Sequence, residues 1–364
     1  MNTKIIAFYL PQFHAIPEND HWWGKGFTDW TNVRKARPLF KGHDQPRVPQ
    51  NERYYDLSRV ETLRWQAELA NSHGIYGMCI YHYWFAGKLL LQKPAELLLS
   101  HKDLPMRFCF SWANEPWART WDGYDRQVLM PQDYGTEEDW RKHFNYLLPF
   151  FKDDRYIKVD GRPMMLLYRS LSIPCCAEMM ALWETMARDN GLPGLHFVCT
   201  LGHGHDYKAM NQDLPFSAYV EFEPVRTTDM EYHSPWVLLR GKMAPMLNRW
   251  LHTRILPRRP YRFSDVADNS LRLKSPEGTY GGIFCGWDNT PRKKSNGMII
   301  EAPTRDEFAS YLEKKIRQTH DEYHTDFLFV NAWNEWAEGT YLEPDKTRGC
   351  MYLDVIRDTV GSNS

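Results

Sequence analysis

The chain has 364 residues, of which 43% are hydrophobic and 15% aromatic, a composition sufficient for a large globular core. Its 45 basic and 46 acidic residues leave a formal net charge of −1, which disfavours nucleic acid or an anionic membrane as the main partner. No run of 18 apolar residues occurs, so no transmembrane helix is expected, and the N-terminus lacks the layout of a signal peptide. We therefore expect a cytoplasmic protein.

Short runs rich in β-branched and aromatic residues predict eight strands, at 4–10, 75–82, 107–112, 163–168, 195–201, 217–222, 280–286 and 326–332. Amphipathic stretches between them predict helices at 56–73, 91–101, 136–152, 176–190 and 304–319. Nearly continuous apolar strands that alternate with helices indicate a parallel sheet, and eight such units predict an α/β fold of the (β/α)8 TIM-barrel type. A doubly wound sheet is the alternative, but the first strand ends in Y-L-P-Q-F-H, without the glycine-rich phosphate turn of that fold.

Three connections after strands are unusually long: residues 11–55, 113–135 and 223–279. Such loops belong to the C-terminal face of a barrel, where sites are built. No internal repeat or low-complexity linker is present, so we expect residues 1–364 to form one catalytic domain with a long insertion at about 223–279, including a helix near 237–252. The basic and aromatic segment 249–262 could hold an anionic sugar, a partner or a lipid surface, although a solvated loop is the simpler explanation.

Aromatic and polar side chains recur at nearly every predicted strand end, and in a barrel these ends converge. The candidates for contact with a substrate are Tyr9, His82, Trp84, Trp112, Asn114, Glu115, Trp117, Trp287, Asp288, Asn334 and Trp336. Two Asn-Glu pairs, Asn114–Glu115 and Asn334–Glu335, follow the third and eighth predicted strands. Many retaining glycosidase barrels place an acid in such a pair, but they use strands four and seven.

The stretch 326–345 carries the most specific pattern, an apolar strand that turns polar through Glu335 and Glu338, with tryptophans around them. Residues three apart point to opposite faces of a strand but share one side of a helical turn. We therefore expect the strand to end near Trp333 and the chain to curl, so that both carboxylates enter one space. Paired carboxylates beside indole rings are typical of carbohydrate chemistry, because two acids can share glycoside cleavage. A surface loop with ordinary acidic residues is the alternative.

Other chemistries have weaker signals. His203, His205 and Asp206 could ligate a metal, but hydrogen-bonding loop histidines explain the same pattern, and we expect neither a metal nor a cofactor. His82 is either a core histidine or a sugar-facing one. No G-x-S-x-G elbow and no Walker-type loop is present, which disfavours serine hydrolysis and phosphoryl transfer. The seven cysteines lack C-x-x-C spacing and are typical of reduced core thiols.

Four long motifs stand out: I-A-F-Y-L-P-Q-F-H at 6–14, W-W-G-K-G-F-T-D-W at 22–30, S-W-A-N-E-P-W at 111–117 and W-N-E-W-A-E-G at 333–339. Together they resemble the WbsX-type family, whose members occur in bacterial polysaccharide and O-antigen gene clusters and have often been labelled glycosyltransferases. The resemblance covers nearly the whole chain. That family in turn is similar to glycoside hydrolase family 99, the endo-α-mannosidases and endo-α-mannanases, through its fold and a few positions.

By this resemblance, Glu335 and Glu338 match the two catalytic acids of family 99. Glu335 is then the base that takes the proton of the sugar 2-hydroxyl, whose oxygen attacks its own anomeric carbon and forms a 1,2-anhydro sugar. Glu338 protonates the leaving group and later activates water, with net retention. Glu115 matches a sugar-binding glutamate, and Tyr9 a tyrosine at the end of the first strand. The subsites differ, so mannose specificity is not implied. A covalent enzyme nucleophile is the mechanistic alternative.

We therefore predict a retaining glycosidase of a bacterial polysaccharide or oligosaccharide, endo-acting because an open, loop-built face favours an extended ligand. A glycosyltransferase is the first alternative, disfavoured because no D-x-D follows a strand and no nucleotide-binding fold is visible. A non-catalytic carbohydrate-binding barrel and a metal-dependent hydrolase are the others. The sequence carries no signal for the sugar, the linkage or the oligomeric state.

Overall fold

The computed structural model describes residues 3–118, 128–203, 206–211, 214–231 and 260–362. Eight parallel strands form a closed barrel, because the first strand pairs with both the second and the eighth. This arrangement confirms the predicted (β/α)8 fold and all eight predicted strands. The barrel strands, numbered in chain order, are β1 Lys4–Tyr9, β2 Ile75–Phe85, β3 Phe108–Trp112, β4 Arg162–Leu167, β5 His196–Leu201, β6 Ala218–Glu221, β7 Thr279–Phe284 and β8 Phe327–Asn331.

The predicted helices are also present, with small shifts at their ends. The first begins at Val60 rather than at Asp56, because the Asp56 carboxylate accepts a hydrogen bond from the Ser58 N–H and holds a turn there. The helices are α1 Pro17–Trp23, α2 Asp29–Lys35, α3 Val60–Ser72, α4 Lys93–Ser100, α5 Glu137–Phe151, α6 Cys176–Asp189, α7 Val225–Glu231, α8 Phe263–Arg272, α9 Thr290–Lys293, α10 Arg305–Asp321 and α11 Met351–Ser362.

The predicted insertion at about 223–279 contains α7 and α8 at its two ends. Residues 232–259 lie outside the described part of the chain. The predicted helix near 237–252 and most of the basic segment 249–262 fall there. Across the described residues, no helix has the length and apolar character needed to cross a membrane.

The interior of the barrel is filled by aromatic rings from several strands. Phe8 of β1 contacts Phe329 of β8, Tyr81 of β2 and Phe222 beyond β6, with ring centroids 5.0 to 5.9 Å apart. Because side chains alternate across a strand, every second residue of these apolar strands enters this core and the others pack against the helices. The rings close the bottom of the space above them, where the strand ends converge.

Charges buried beside β6 belong to the scaffold. Glu221 accepts hydrogen bonds from Lys315 Nζ at 2.8 Å and from the Tyr323 hydroxyl at 2.9 Å, and Arg226 Nη1 lies 3.4 Å away. Burial would raise the pKa of Glu221, but the charges of Lys315 and Arg226 lower it to about 2. These paired charges tie β6 to α7 and α10, and all three side chains have no exposed surface.

Candidate active site

A cleft with a cavity volume of about 530 Å³ lies over the C-terminal ends of the barrel strands. Its aromatic lining comes from several different loops and strand ends: Trp23, Tyr81, Tyr83, Trp117, Tyr168, Phe222 and Trp287. Its polar lining includes Gln12, Glu115, His203, Asn289, Arg292, Lys293, Glu335 and Glu338. A cavity with flat apolar walls and a few converging polar groups is the usual form of a ligand site.

The two central carboxylates reach the cavity through a tight curl after β8. Residues Asn334–Glu335 pair antiparallel with Thr340–Tyr341, and a short 3₁₀ helix, Trp336–Glu338, connects them. Gly339 ends this turn with a φ of 66°, and a β-carbon at this position would lie 2.7 Å from the Asp288 backbone nitrogen. The curl brings Glu335 and Glu338 to the same cavity, as the spacing of the two acids predicts.

One guanidinium joins these carboxylates. Arg292 Nη1 donates to Glu338 Oε1 at 2.6 Å, and Arg292 Nη2 donates to Glu335 Oε2 at 3.1 Å. The same Nη2 also donates to Asp29 Oδ2 at 3.1 Å, and Nε donates to Asp29 Oδ1 at 3.3 Å. Arg292 is therefore surrounded by three carboxylates, and its positive charge can balance only one of them if all are ionised.

The electrostatics of the site separate the two acids. Glu335 is 6% exposed, and burial raises its pKa from 4.5 to about 8. The charge of Arg292 lowers this pKa, while the charges of Glu338 and Asp29 raise it. Glu338 is more open to solvent, with a quarter of its side chain exposed. Glu335 therefore keeps its proton to a higher pH than an ordinary glutamate does.

Asn334 fixes the position of the curl. Its side-chain Oδ1 accepts a hydrogen bond from the Leu10 N–H at 2.8 Å, and its Nδ2 donates to the Leu10 carbonyl at 3.0 Å. Asn334 has no exposed surface and does not line the cavity. It holds the residue before Glu335 against the end of β1, which limits the positions that Glu335 can take.

The cavity wall after β3 repeats this arrangement. Asn114 Oδ1 accepts from the Arg169 N–H at 2.8 Å, and Asn114 Nδ2 donates to the Arg169 carbonyl at 2.9 Å. The next residue, Glu115, lines the cavity and accepts from Arg169 Nε at 2.7 Å. Asp206 Oδ2 lies 3.5 Å from Arg169 Nη1, on the far side of the guanidinium.

Of the thirteen residues predicted for the site, eleven for substrate contact and two as catalytic acids, five line the cavity and eight do not. Those at the cavity are Glu115, Trp117, Trp287, Glu335 and Glu338. Those away from its wall are Tyr9, His82, Trp84, Trp112, Asn114, Asp288, Asn334 and Trp336. The sequence places these residues at strand ends, but the direction of each side chain follows from the strand pleat and the loop path.

Two of the residues away from the wall, Tyr9 and Trp336, connect the β8 loop to the scaffold. The Tyr9 hydroxyl donates to Gln66 Oε1 at 2.7 Å, and Gln66 Nε2 donates to the buried Glu343 at 2.7 Å. Trp336 Nε1 also donates to Glu343, at 2.7 Å. Burial raises the pKa of Glu343 to about 7, while the bonds from Trp336 and Gln66 lower it. Direct substrate contact by Tyr9 or Trp336 does not fit these positions.

Asp288 likewise bonds to protein groups. Its Oδ2 accepts from Gln45 Nε2 at 2.7 Å and lies 2.8 Å from His43 Nε2. Its Oδ1 accepts from the Thr290 hydroxyl at 2.6 Å, at the first residue of α9. Since α9 carries Arg292, Asp288 helps to position the guanidinium rather than the substrate.

His82, Trp84 and Trp112 form a buried cluster around His143. The Nε2 atoms of His82 and His143 are 2.8 Å apart, and Trp84 stacks on His143 with centroids 4.5 Å apart. Trp112 meets the edge of His143 at 4.8 Å. Burial lowers the pKa of His82 to about 3, so it stays neutral at physiological pH. Of the two interpretations of His82, the position favours a core histidine.

The sequence interpretation missed Arg292 and Asp29. Asp29 lies within the motif W-W-G-K-G-F-T-D-W at 22–30, and Arg292 follows the end of β7 by eight residues. A charged residue inside such a distinctive motif was the available signal for Asp29. Arg292 had none, because a basic residue in a loop is ordinary.

The predicted metal alternative is only partly described. His203 Nδ1 lies 3.1 Å from Asp229 Oδ1, and the His203 N–H donates to Asp206 Oδ2 at 2.7 Å. His205 lies outside the described residues. Within the described ranges, no group of three or more His, Cys, Asp or Glu side chains could hold a metal ion.

Comparison with known proteins finds similarity between this chain and two groups of proteins. The model of the family described as "Glycosyltransferase WbsX" matches residues 5–356. Protein WxcX from two strains of Xanthomonas campestris pv. campestris is 36% identical over 361 residues. That match covers 98% of this chain and 50% of WxcX, so the chain spans about half the length of these relatives.

Solved structures share the barrel. The GH99 endo-alpha-mannosidase from Bacteroides thetaiotaomicron has a TM-score of 0.58 and 14% identity, and the match covers 98% of this chain and 96% of that one. A glycoside hydrolase-like protein has a TM-score of 0.62 and 12% identity, with 99% and 94% of the two chains covered. At these identities the likeness shows a common fold.

Proposed function

This chain belongs to the family described as glycosyltransferase WbsX, and from the geometry of its cavity we propose that it is a retaining glycoside hydrolase. Its substrate is a bacterial polysaccharide or oligosaccharide, cut within the chain. The observation that carries the proposal is the pair Glu335 and Glu338, joined by Arg292 in a cavity with aromatic walls. Aromatic rings can cover sugar faces, and two carboxyl groups can share the proton transfers of glycoside cleavage.

In the mechanism that the family 99 resemblance implies, Glu335 takes the proton from the sugar 2-hydroxyl. The freed oxygen attacks the anomeric carbon as the glycosidic bond breaks, and Glu338 gives its proton to the departing oxygen. Water then opens the 1,2-anhydro ring, with its proton passing to Glu338 while Glu335 returns a proton to the 2-oxygen. Configuration is retained because the anomeric carbon is attacked twice.

This role for Glu335 has a consequence for pH. A base must be ionised, and burial raises the pKa of Glu335 to about 8. Activity limited by Glu335 as a base therefore rises as pH increases through this region. If Glu335 were the proton donor instead, activity would fall across the same range, so the slope of the profile distinguishes the two assignments.

The test is a panel of bacterial surface polysaccharides incubated with the protein, followed by mass analysis of the released oligosaccharides. Glu335→Gln and Glu338→Gln are each expected to reduce the release of products by at least ~10³-fold while the protein stays folded. Glu313→Gln is the matched control, because Glu313 lies on α10 with 56% of its side chain exposed, away from the cavity.

Retention of full activity in either cavity variant would contradict the proposal. A substrate analogue without the 2-hydroxyl separates the two retaining mechanisms. It cannot form the anhydro ring and is expected to resist cleavage, whereas a covalent enzyme nucleophile would still cleave it and leave a glycosylated protein detectable by mass.

A glycosyltransferase is the second candidate function, favoured by the description of the family. It predicts that the polysaccharide is extended or modified only when a nucleotide sugar is supplied. Release of oligosaccharides by the protein in buffer alone supports the hydrolase.

We further propose that residues 1–364 act as one catalytic domain. The pairing of β1 with β8 supports this, since the barrel is incomplete without either end of the described chain. A cytoplasmic location stays a prediction from the sequence.

A further inference from the structure

Asp29 is a charged residue that no solvent reaches. It is the first residue of α2, it has no exposed surface, and it does not line the cavity. An ionised carboxylate in such a position is costly unless it is paired. Its two oxygens face Arg292, with Oδ1 3.3 Å from Nε and Oδ2 3.1 Å from Nη2, and Asn32 Nδ2 donates to Oδ1 at 3.2 Å.

This two-point contact determines the plane of the guanidinium. An arginine side chain has several rotatable bonds, and a carboxylate that bonds two of its nitrogens removes most of that freedom. With Nε and Nη2 directed at Asp29, Nη1 is left to meet Glu338, and Nη2 also reaches Glu335. The geometry of the catalytic pair therefore depends on a residue that the substrate cannot touch.

Asp29 also affects how much of the positive charge of Arg292 is available to Glu335 and Glu338. Its carboxylate competes with Glu335 for the same Nη2 atom, and its negative charge raises the pKa of Glu335. Among the described residues, three tyrosine hydroxyls also face this cluster: Tyr81 and Tyr83 of β2, and Tyr168 on the side of Glu338. Burial raises the pKa of all three hydroxyls above 10, so they stay neutral across the working range.

We propose that Asp29 is a positioning residue for the reaction, which orients Arg292 and shares its charge so that one guanidinium serves both Glu335 and Glu338. The inference rests on the proposed function for its effect on turnover, although its effect on the protonation of Glu335 does not. If the ion pair between Asp29 on α2 and Arg292 on α9 were purely structural, it would stabilise the fold but change neither turnover nor the protonation of Glu335.

The test begins with a pH titration of Glu335. Infrared spectroscopy of the protein with isotopically labelled glutamate monitors this titration. The Glu335 signal is identified by its loss in Glu335→Gln. In Asp29→Asn the shape is kept and the charge is lost, so the Glu335 midpoint is expected to fall by about one pH unit. The control is Asp153→Asn, which removes a buried carboxylate paired with Arg155 and Lys102, and it should leave the midpoint unchanged. An unchanged midpoint in Asp29→Asn overturns the proposal.

Turnover gives a second readout. Asp29→Asn is expected to lower kcat by ~10- to 100-fold with little change in KM, and to move the pH limb of Glu335 downwards. If Asp29 acts through Arg292, adding Asp29→Asn to Arg292→Lys causes little further loss of kcat. Losses that multiply in the double variant would mean that Asp29 does not act through Arg292.

Asn32→Ala gives the same test if Asp29→Asn fails to fold. It removes the amide that bonds Asp29 Oδ1 and is expected to produce a smaller shift of the Glu335 midpoint, while no shift overturns the proposal. The two hypotheses fail separately. Activity that survives Glu335→Gln and Glu338→Gln contradicts the hydrolase, whereas loss there with an unshifted midpoint in Asp29→Asn contradicts only the role of Asp29.

Discussion

Two Asn-Glu pairs, one after β3 and one after β8, stand on two walls of the cavity and use the same hydrogen-bonding pattern. In each pair the asparagine bonds both the N–H and the carbonyl of one residue on a neighbouring loop, Leu10 for Asn334 and Arg169 for Asn114. In each pair the glutamate that follows lines the cavity and accepts from an arginine. The amide fixes the backbone, and the next side chain is presented to the ligand space.

The two glutamates differ in burial. The Glu115 side chain is 46% exposed and meets Arg169 at the open rim. Glu335 is 6% exposed, shares its arginine with Glu338 and Asp29, and has a raised pKa. The same motif therefore yields a solvated binding group on one wall and a proton-retaining acid on the other. Glu335 differs from Glu115 because it is more fully desolvated and because more carboxylates share its guanidinium.

The largest expected difference follows from removing each arginine. Arg292→Ala leaves carboxylates without their cation in a buried site and is expected to lower the free energy of unfolding by ~3–5 kcal/mol. Arg169→Ala is expected to cost only about 1 kcal/mol, because Glu115 can be solvated and Asp206 keeps the Gly202 and His203 N–H groups as donors. Urea unfolding of both variants at pH 7 measures this. Equal losses would show that the two walls do not differ in desolvation.

The pH dependence of stability is the next largest effect. Because the pKa of Glu335 is raised from 4.5 to about 8, the folded state holds an extra proton between these values. Its contribution to stability is present below about pH 4.5 and is lost as pH rises through about 8. Glu335→Gln removes this loss and is expected to be more stable than the wild type by ~1–3 kcal/mol at pH 8.5, but not at pH 4.5.

Glu115→Gln is the matched comparison for this prediction, because it makes the same substitution in the other Asn-Glu pair, where the glutamate side chain is 46% exposed. Glu343, whose pKa burial raises to about 7, contributes a similar slope that stays in both variants. Thermal unfolding between pH 4.5 and 8.5 measures all three proteins. A slope in Glu335→Gln equal to that of the wild type contradicts the proton-retaining state.

The smallest effects concern the asparagines. Asn334→Ala removes the side-chain partner of the Leu10 N–H and carbonyl, and Asn114→Ala removes that of the Arg169 N–H, with expected losses of ~1–3 kcal/mol. The Arg169 carbonyl still accepts from the Ser172 N–H, so the loss in Asn334→Ala should lie at the upper end. Asn334→Ala should also reduce kcat, whereas Asn114→Ala should mainly raise KM. The reverse pattern would exchange the roles of the two walls.

Much of this could be predicted from the sequence. The alternation of apolar strands and helices predicts the barrel, because the spacing of apolar residues in each segment shows which of its faces is buried. The curl at Glu335 and Glu338 is likewise predictable, since a three-residue spacing brings the two acids together only in a turn. Both Asn-Glu pairs were visible as motifs, although the backbone bonds of Asn114 and Asn334 were not.

Only the tertiary structure decided which polar residues meet. Arg292 on α9 and Asp29 on α2 are 263 positions apart in the sequence, and no local pattern links them. The directions of Tyr9, His82 and Asp288 were also set by packing, which turned them towards protein partners instead of the cavity. The local sequence around Glu335 and Glu338 thus determined that the two acids face the same cavity. Burial and a shared cation, which depend on distant segments, decided how those acids are protonated.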